Sequence, residues 1–181
     1  MISFGAVNLW KLEKSDLGIH YSWANNDNIR RLAGGLPQPK STAEVEQWFA
    51  SVTEDTKFET YSIKNHEAEM LGWIQLSNLN LTWGTAEVGI VIDEELWGSG
   101  YGHDALTAIL KYGFEDLRLH RIGAEILSIN SPSKRLFEKL GFSHEGVKRE
   151  AMFTSGRHLD VDVFGLLSRN FKLPKPRKLQ G

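Results

Sequence analysis

Six residues, Trp97-Gly98-Ser99-Gly100-Tyr101-Gly102, connect a stretch with the alternation of a strand to a stretch with the period of a helix. Nothing else in the chain restricts the fold as tightly. Glycines at alternate positions let the backbone enter conformations that are strained for other residues, and their missing side chains leave the N–H groups of residues 98–103 uncovered. Upstream, residues 86–92 have the pattern of a strand. Downstream, Ala105, Leu106, Ile109, Leu110, Gly113 and Leu117 fall on one stripe of a helix over residues 103–119. A helix starting directly after such a turn adds its unpaired first N–H groups and the positive end of its dipole to the same concavity. That combination suits phosphate; as a bare pattern it equally describes a tight turn that only starts a helix.

The rest of the chain sets the context. Residues 7–12 alternate as a first strand, and Ser15 and Asp16 offer N-caps for a helix carrying Leu17, Ile19, Tyr21 and Trp23. A shorter helical piece over 28–32 stops at Gly34-Gly35, after which Pro37 and Pro39 force an extended segment. Ser41 or Thr42 caps another helix, with Glu44 in its first turn and Val45, Trp48, Phe49 and Val52 on one face. Residues 58–63, 69–76 and 86–92 follow as strands. Beyond the glycine turn come a strand at 121–129, a short helix entered through Ser131-Pro132 and stopped at Gly141, and strands at 143–153 and 158–167 joined by a Ser155-Gly156 turn. Early helices, a central meander and a later β-loop-α-β-α unit predict an α+β fold with a mixed sheet of about seven strands. Residues 1–171 are one domain, and residues 172–181, with two prolines and four cations, read as a basic tail.

Composition removes several classes. The 181 residues are 41% hydrophobic and 24% charged, enough apolar material for a core. There is no run of about 18 apolar residues and no apolar segment of signal-peptide type, so a soluble, cytoplasmic protein without a membrane partner is expected. Having no cysteine excludes a disulfide framework, a thiolate metal site and a cysteine nucleophile. The six histidines show no HxxxH, HxH or HExxH spacing, so no metal is expected. A net charge of −2 gives nucleic acid no footprint outside the tail.

Three phosphate-turn classes compete for residues 97–102. A Walker loop needs GxxxxGK[ST], which is absent, and the dinucleotide fingerprint GxGxxG fails at His103. The third is the pyrophosphate turn Q/R-x-x-G-x-G/A of the Gcn-related N-acetyltransferases (GNAT). Residues 97–102 resemble it, with Gly100 and Gly102 in the last two places and Trp97 in the first. About thirty residues on, Asn130, Ser133, Leu136, Lys139, Gly141 and Phe142 resemble the family's N-x-x-S/A-x-x-L-x-x-K-x-G-F signature. The likeness spans about residues 70–167 in matching order. Tryptophan in the first place is similar to the RimJ/RimL branch, which acetylates ribosomal-protein N-termini.

The resemblance implies a GNAT fold, helices on both faces of the sheet and acetyl-CoA as co-substrate. It implies a pyrophosphate held by Trp97, Gly98, Ser99, Gly100, Tyr101, Gly102 and His103. It runs the pantetheine arm along Ile90, Val91 and Ile92, with further contacts at Asn130, Ser133 and Phe137 and nearby cations at Lys134, Arg135 and Lys139. The chemistry adds its own demands. An alkyl amine with a pKa near ~10 is unprotonated in only about one molecule per thousand at pH 7, so a base helps. Glu87, on the strand leading into the turn, is the candidate. A departing thiolate gains from a hydrogen-bond donor; many family members place tyrosine where this chain has Phe137, which cannot donate, so Ser133 is the candidate. Direct transfer in a ternary complex follows. The acceptor is a primary amine, either a protein N-terminus by the RimJ/RimL likeness or a small amine such as a polyamine, amino sugar or aminoglycoside. Trp23 and Trp83 are candidates for lining its groove. A non-catalytic acyl-CoA-binding module is the competing class.

Overall fold

The computed structural model describes residues 1–33, 38–154 and 156–176. Gly34-Gly35, Pro37, Ser155 and the tail from residue 177 lie outside the described residues, so the turns and helix stop expected there do too. One mixed sheet of eight strands is built from β1 (Ile2–Phe4), β2 (Val7–Lys11), β3 (Glu59–Lys64), β4 (Met70–Asn80), β5 (Thr85–Ile92), β6 (Arg121–Leu127), β7 (Ser143–Thr154) and β8 (Arg157–Leu167). Their spatial order is β1-β2-β3-β4-β5-β6-β8-β7. All neighbours are antiparallel except β5 and β6, which are parallel. The seven expected strands are present. The eighth, β1, is a three-residue partner of β2, too short to carry a period of its own.

Five helices cover the two faces: α1 (Leu17–Ala24), α2 (Asp27–Ala33), α3 (Thr42–Glu54), α4 (Tyr101–Lys111) and α5 (Ser131–Lys139). Helix α4 is the centre of the main core: residues 104–110 are all buried, and Leu106, Ile109 and Leu110 pack with Leu9, Ile63, Ile74, Leu76 and Ile122 of the sheet. The stripe expected to run as one helix to residue 119 is interrupted, because Tyr112–Asp116 forms a π turn. Gly113 lies in that turn, where a Cβ would stand 2.9 Å from Ile122 Cδ1 of β6. No helix among the described residues is long and apolar enough to cross a membrane.

Helices α1, α2 and α3 cover the opposite face. Asp16 stands at the N-cap of α1, but its carboxylate turns to the sheet, accepting from Ser62 Oγ at 2.6 Å and Lys64 Nζ at 3.0 Å. Burial alone would raise this carboxyl; the bonds from Ser62, Lys64 and the Glu13 N–H outweigh it and hold the group below the ordinary range. Ser41 caps α3 as expected, in a reciprocal box with Glu44. Between α1, α3 and β4 sits His20, 4% exposed, with ring centroids 4.5 Å from Trp48, 5.4 Å from Trp73 and 5.8 Å from Trp23. Its Nε2 is buried with no hydrogen-bond partner among the described residues. Burial pushes His20 down to about 4, against the opposing pull of the Asp16 charge.

This depressed ionisation predicts a pH dependence of stability. As pH falls from about 6.5 to about 4, the unfolded chain binds a proton at residue 20 that the folded chain refuses, so stability is lost across that window. The slope approaches about 1.4 kcal/mol per pH unit. Denaturant titrations at several pH values in this range are expected to show a shallower loss for His20→Leu than for the wild type. Equal slopes would mean that His20 ionises within the fold.

Candidate active site

Strands β5 and β6 begin as neighbours and then part. Among the described residues they pair at Thr85–Arg121, Ala86–Ile122 and Glu87–Gly123, and no further. Past that point β5 runs on to Ile92 with β4 as its partner, and β6 runs on to Leu127 with β8 as its partner. The result is a V with Glu87 at its apex and an open strand edge along residues 88–92 on one side. Backbone groups on such an edge require a partner, and an extended chain bearing amides can supply one. Ile90 and Ile92 pack toward the main core, whereas Val91 faces the other layer beside Trp23 and Ile29.

The glycine turn lies where β5 leaves the sheet. Asp93 caps a short 3-10 turn, Glu94–Leu96, by accepting from the Glu95 N–H at 3.1 Å. Gly98 (φ +81°) and Gly100 (φ +86°) then take the left-handed conformations that favour glycine. The first α4 bond runs from the Asp104 N–H to the Gly100 carbonyl at 3.2 Å, so the N–H groups of Tyr101, Gly102 and His103 have no acceptor within the helix. Gly102 is needed for a different reason: a Cβ would stand 3.3 Å from Leu136 Cδ2 and 3.6 Å from Ile92 Cγ1, filling the space between turn and α5. Uncovered amides at a helix N-terminus, with room in front of them, fit a diphosphate.

Trp97 stands in the first place of the turn, where the resembled pattern has Gln or Arg. Its indole N–H donates to the Ile92 carbonyl at 2.9 Å and pins the turn to the end of β5, while the ring stays 45% exposed. His103 Nδ1 lies 3.2 Å from Asp104 Oδ1. Asp104 is 1% exposed and also accepts from the Ala6 N–H at 3.1 Å, which fastens the β1–β2 turn to the start of α4. Residues 97–103 thus span the turn after β5 and the first residues of α4.

Half-buried Glu87 accepts from Asn78 Nδ2 at 3.0 Å. Asn130 caps α5, its Oδ1 accepting from the Ser133 N–H at 3.2 Å. Phe137 corrects the expectation of a cofactor contact: it is 2% exposed, and its ring packs edge to face on Phe142 at 4.9 Å, so its place is in the core. Lys134 is held by the Ser128 carbonyl at 2.9 Å and Asp162 Oδ2 at 3.0 Å. Trp83 is 76% exposed in the β4–β5 turn, at the far end of β5 from the glycines, and Trp23 is buried beneath α2. Neither has the expected place on an open groove. A small pocket of about 60 Å³ adjoins the V, lined by Leu32, Ala33, Glu125, Leu127, Met152 and Val161. Sequence pattern alone does not single out Asn78, Asp93, Glu94 or Glu125; only the run Asn25-Asn26-Asp27-Asn28 and the acids directly before the glycine turn could have pointed to such side chains.

The profile described as "Acetyltransferase (GNAT) domain" matches residues 7–143. The spermidine N(1)-acetyltransferase of Vibrio cholerae is 27% identical over 166 residues, 91% of this chain and 95% of that protein. The putative ribosomal N-acetyltransferase YdaF of Bacillus subtilis is 31% identical over 151 residues, 80% of this chain and 82% of that one. The crystal structure of the Vibrio cholerae spermidine N-acetyltransferase with CoA and spermine superposes with a TM-score of 0.86 at 27% identity, covering 91% of this chain and 97% of that chain. Parted strands, glycine turn and sequence likeness agree: the chain belongs to the GNAT acetyltransferases and is an acyltransferase that uses acetyl-CoA.

Proposed function

We propose that the chain acetylates a primary amine of a small polycationic acceptor of the polyamine class. The observation that carries this reading is the near full-length likeness, in sequence and structure, to a spermidine acetyltransferase whose crystal structure holds CoA and spermine. A protein N-terminus is the second reading, supported by the likeness to YdaF and by Trp97.

In this proposal the amides of residues 98–103 hold the diphosphate, the free edge of residues 88–92 orients the pantetheine arm, and Asn130 and Ser133 lie beside it. Bound acetyl-CoA supplies a thioester carbonyl open to attack by nitrogen. Glu87, with Oε2 engaged by Asn78, takes the proton from the acceptor ammonium through Oε1 or a water. The Ser133 hydroxyl donates a hydrogen bond to the departing sulfur, which leaves as the CoA thiolate when the C–S bond breaks and takes up the second proton that the nitrogen sheds as the amide forms. Transfer is direct, in a ternary complex.

Three measurements test these assignments. Glu87→Gln is expected to lower kcat by about 10²-fold or more and Ser133→Ala by about 10-fold; unchanged turnover at saturating substrates removes either residue from its role. Gly102→Val, whose side chain must enter the space in front of Leu136, is expected to weaken CoA binding at least about tenfold by calorimetry. Undiminished affinity would place the diphosphate elsewhere. Thiol release with spermidine, spermine, an aminoglycoside and an N-terminal peptide is expected to favour the polyamines by at least about tenfold in kcat/KM. A peptide turned over faster than either polyamine would reverse the choice of acceptor.

A further inference from the structure

Helix α2 lies across the V rather than along either of its strands. Ile29, on its buried side, packs with Trp23 against Val91 of β5. Leu32 and Ala33, at its other end, line the pocket with Glu125 and Leu127 of β6. Both ends are tied down by hydrogen bonds. At the N-terminal end Asn26 Nδ2 donates to Glu94 Oε2 at 2.9 Å and Asn28 Nδ2 donates to Glu94 Oε1 at 2.6 Å. The neighbouring Trp23 Nε1 donates to Asp93 Oδ2 at 2.8 Å. At the C-terminal end the Leu32 carbonyl accepts from Asn130 Nδ2 at 3.2 Å.

The partners of α1 and α2 in these bonds share one property. Asp93 and Glu94 form the step from β5 into the glycine turn, and Asn130 is the N-cap of α5. Both are cofactor-side loops, whereas α1 and α2 form the opposite wall. Glu94 matters most because both of its oxygens are engaged, each by a different asparagine, and bonds to an ionised acceptor are the stronger kind. A shift of the glycine turn that moved Glu94 would draw on both ends of the Asn26–Asn28 segment at once.

We propose that Glu94 is a positioning residue and that α2 is a strap: filling the cofactor turn fixes the strap through Glu94, and the strap sets the acceptor wall. This rests on the reading that CoA occupies the turn at residues 98–103. Linkage makes the coupling reciprocal, so acceptor and cofactor strengthen each other's binding by the same factor.

Amide hydrogen exchange of residues 27–33, with and without CoA, tests the strap, with calorimetry of CoA binding in parallel. In the wild type CoA is expected to slow exchange in α2 by about fivefold or more, the lower range of measured couplings. Glu94→Ala is expected to bind CoA within about threefold of the wild type, yet lose the slowing in α2. Glu94→Gln, whose amide oxygen still accepts from one asparagine, is expected to keep part of it. Asn28→Ala cuts one of the two bonds from the strap side and leaves Asn26 on Glu94, so it is expected to lose part of the slowing, as Glu94→Gln does, even if Glu94→Ala folds poorly. CoA binding without slowing in wild-type α2, or full slowing in both Glu94→Ala and Asn28→Ala, would overturn the strap alone. Absence of CoA binding to the wild type would overturn the assignment of the turn, and the strap with it.

Discussion

The short parallel ladder between β5 and β6 is the constraint on which the site depends. Pairing ends at Glu87–Gly123 although both strands continue. An interior edge left open in this way has backbone groups that must be met by water or by a ligand, because an unmet buried group is costly. The sheet holds the V open because each strand is secured on its outer side, β5 by β4 and β6 by β8. Helix α4 closes one face beneath it, with residues 105, 106 and 108–110 fully buried. Glu87 and the glycine turn then occupy opposite ends of the same open edge, since both are fixed by the course of one strand.

Three aspartates hold the elements that frame this opening. Asp104 ties the start of α4 to the β1–β2 turn through the Ala6 N–H, and the approach is so close that a Cβ on Gly5 would collide with its Oδ2. Asp16 ties the start of α1 to β3 through Ser62 and Lys64. Asp162 on β8 holds Lys134 of α5 and His144 of β7; burial works to raise its carboxyl, but these two partners keep it below the ordinary range. Each carboxylate joins a helix terminus or first turn to a strand or to the turn between two strands. Fixing helix starts matters here because the turn before α4 and the cap of α5 carry the proposed cofactor contacts, and such contacts lose strength when their support is loose. Lys134, which the sequence offered as a local cation for the ligand, is thereby committed to the scaffold.

What could be read from the sequence was local. The strand–glycine–helix junction and the Ser41 cap each depend on residues within a few positions of one another, and both formed where the pattern placed them, whereas the cap of α5 falls on Asn130, one residue before the expected Ser131-Pro132 entry. What could not be read was relational. The three-residue β1 is a strand only because β2 folds back on it, and the π turn at residues 112–116 interrupts a stripe that the sequence continues to residue 117. Phe137 shows the same limit for function. Its position in the family signature suggested a ligand contact, but its neighbour Phe142 and the main core claim the ring. Trp23 carries both messages at once, buried as a core residue while its indole N–H reaches Asp93 beside the turn.

On the proposed reading, acceptor choice comes down to how charge is spaced on the wall facing the V. Glu125 is paired with Lys148 across β6 and β7, and its hydrogen bond and charge, with a smaller contribution from Glu87, hold the Lys148 ammonium above its ordinary range. The protein's own ammonium group therefore already sits at the carboxylate that lines the pocket. A polyamine presents the same group on a flexible methylene chain, and to reach Glu125 it has to displace Lys148 from the pair it already holds. A peptide N-terminus brings one cation attached to backbone amides, each needing a partner that Leu32, Leu127, Met152 and Val161 cannot provide through their side chains. An α-amino group, with a pKa near ~8 against ~10 for an alkyl amine, gives up its proton more readily, so a preference for polyamines has to come from the chain that the reacting nitrogen carries.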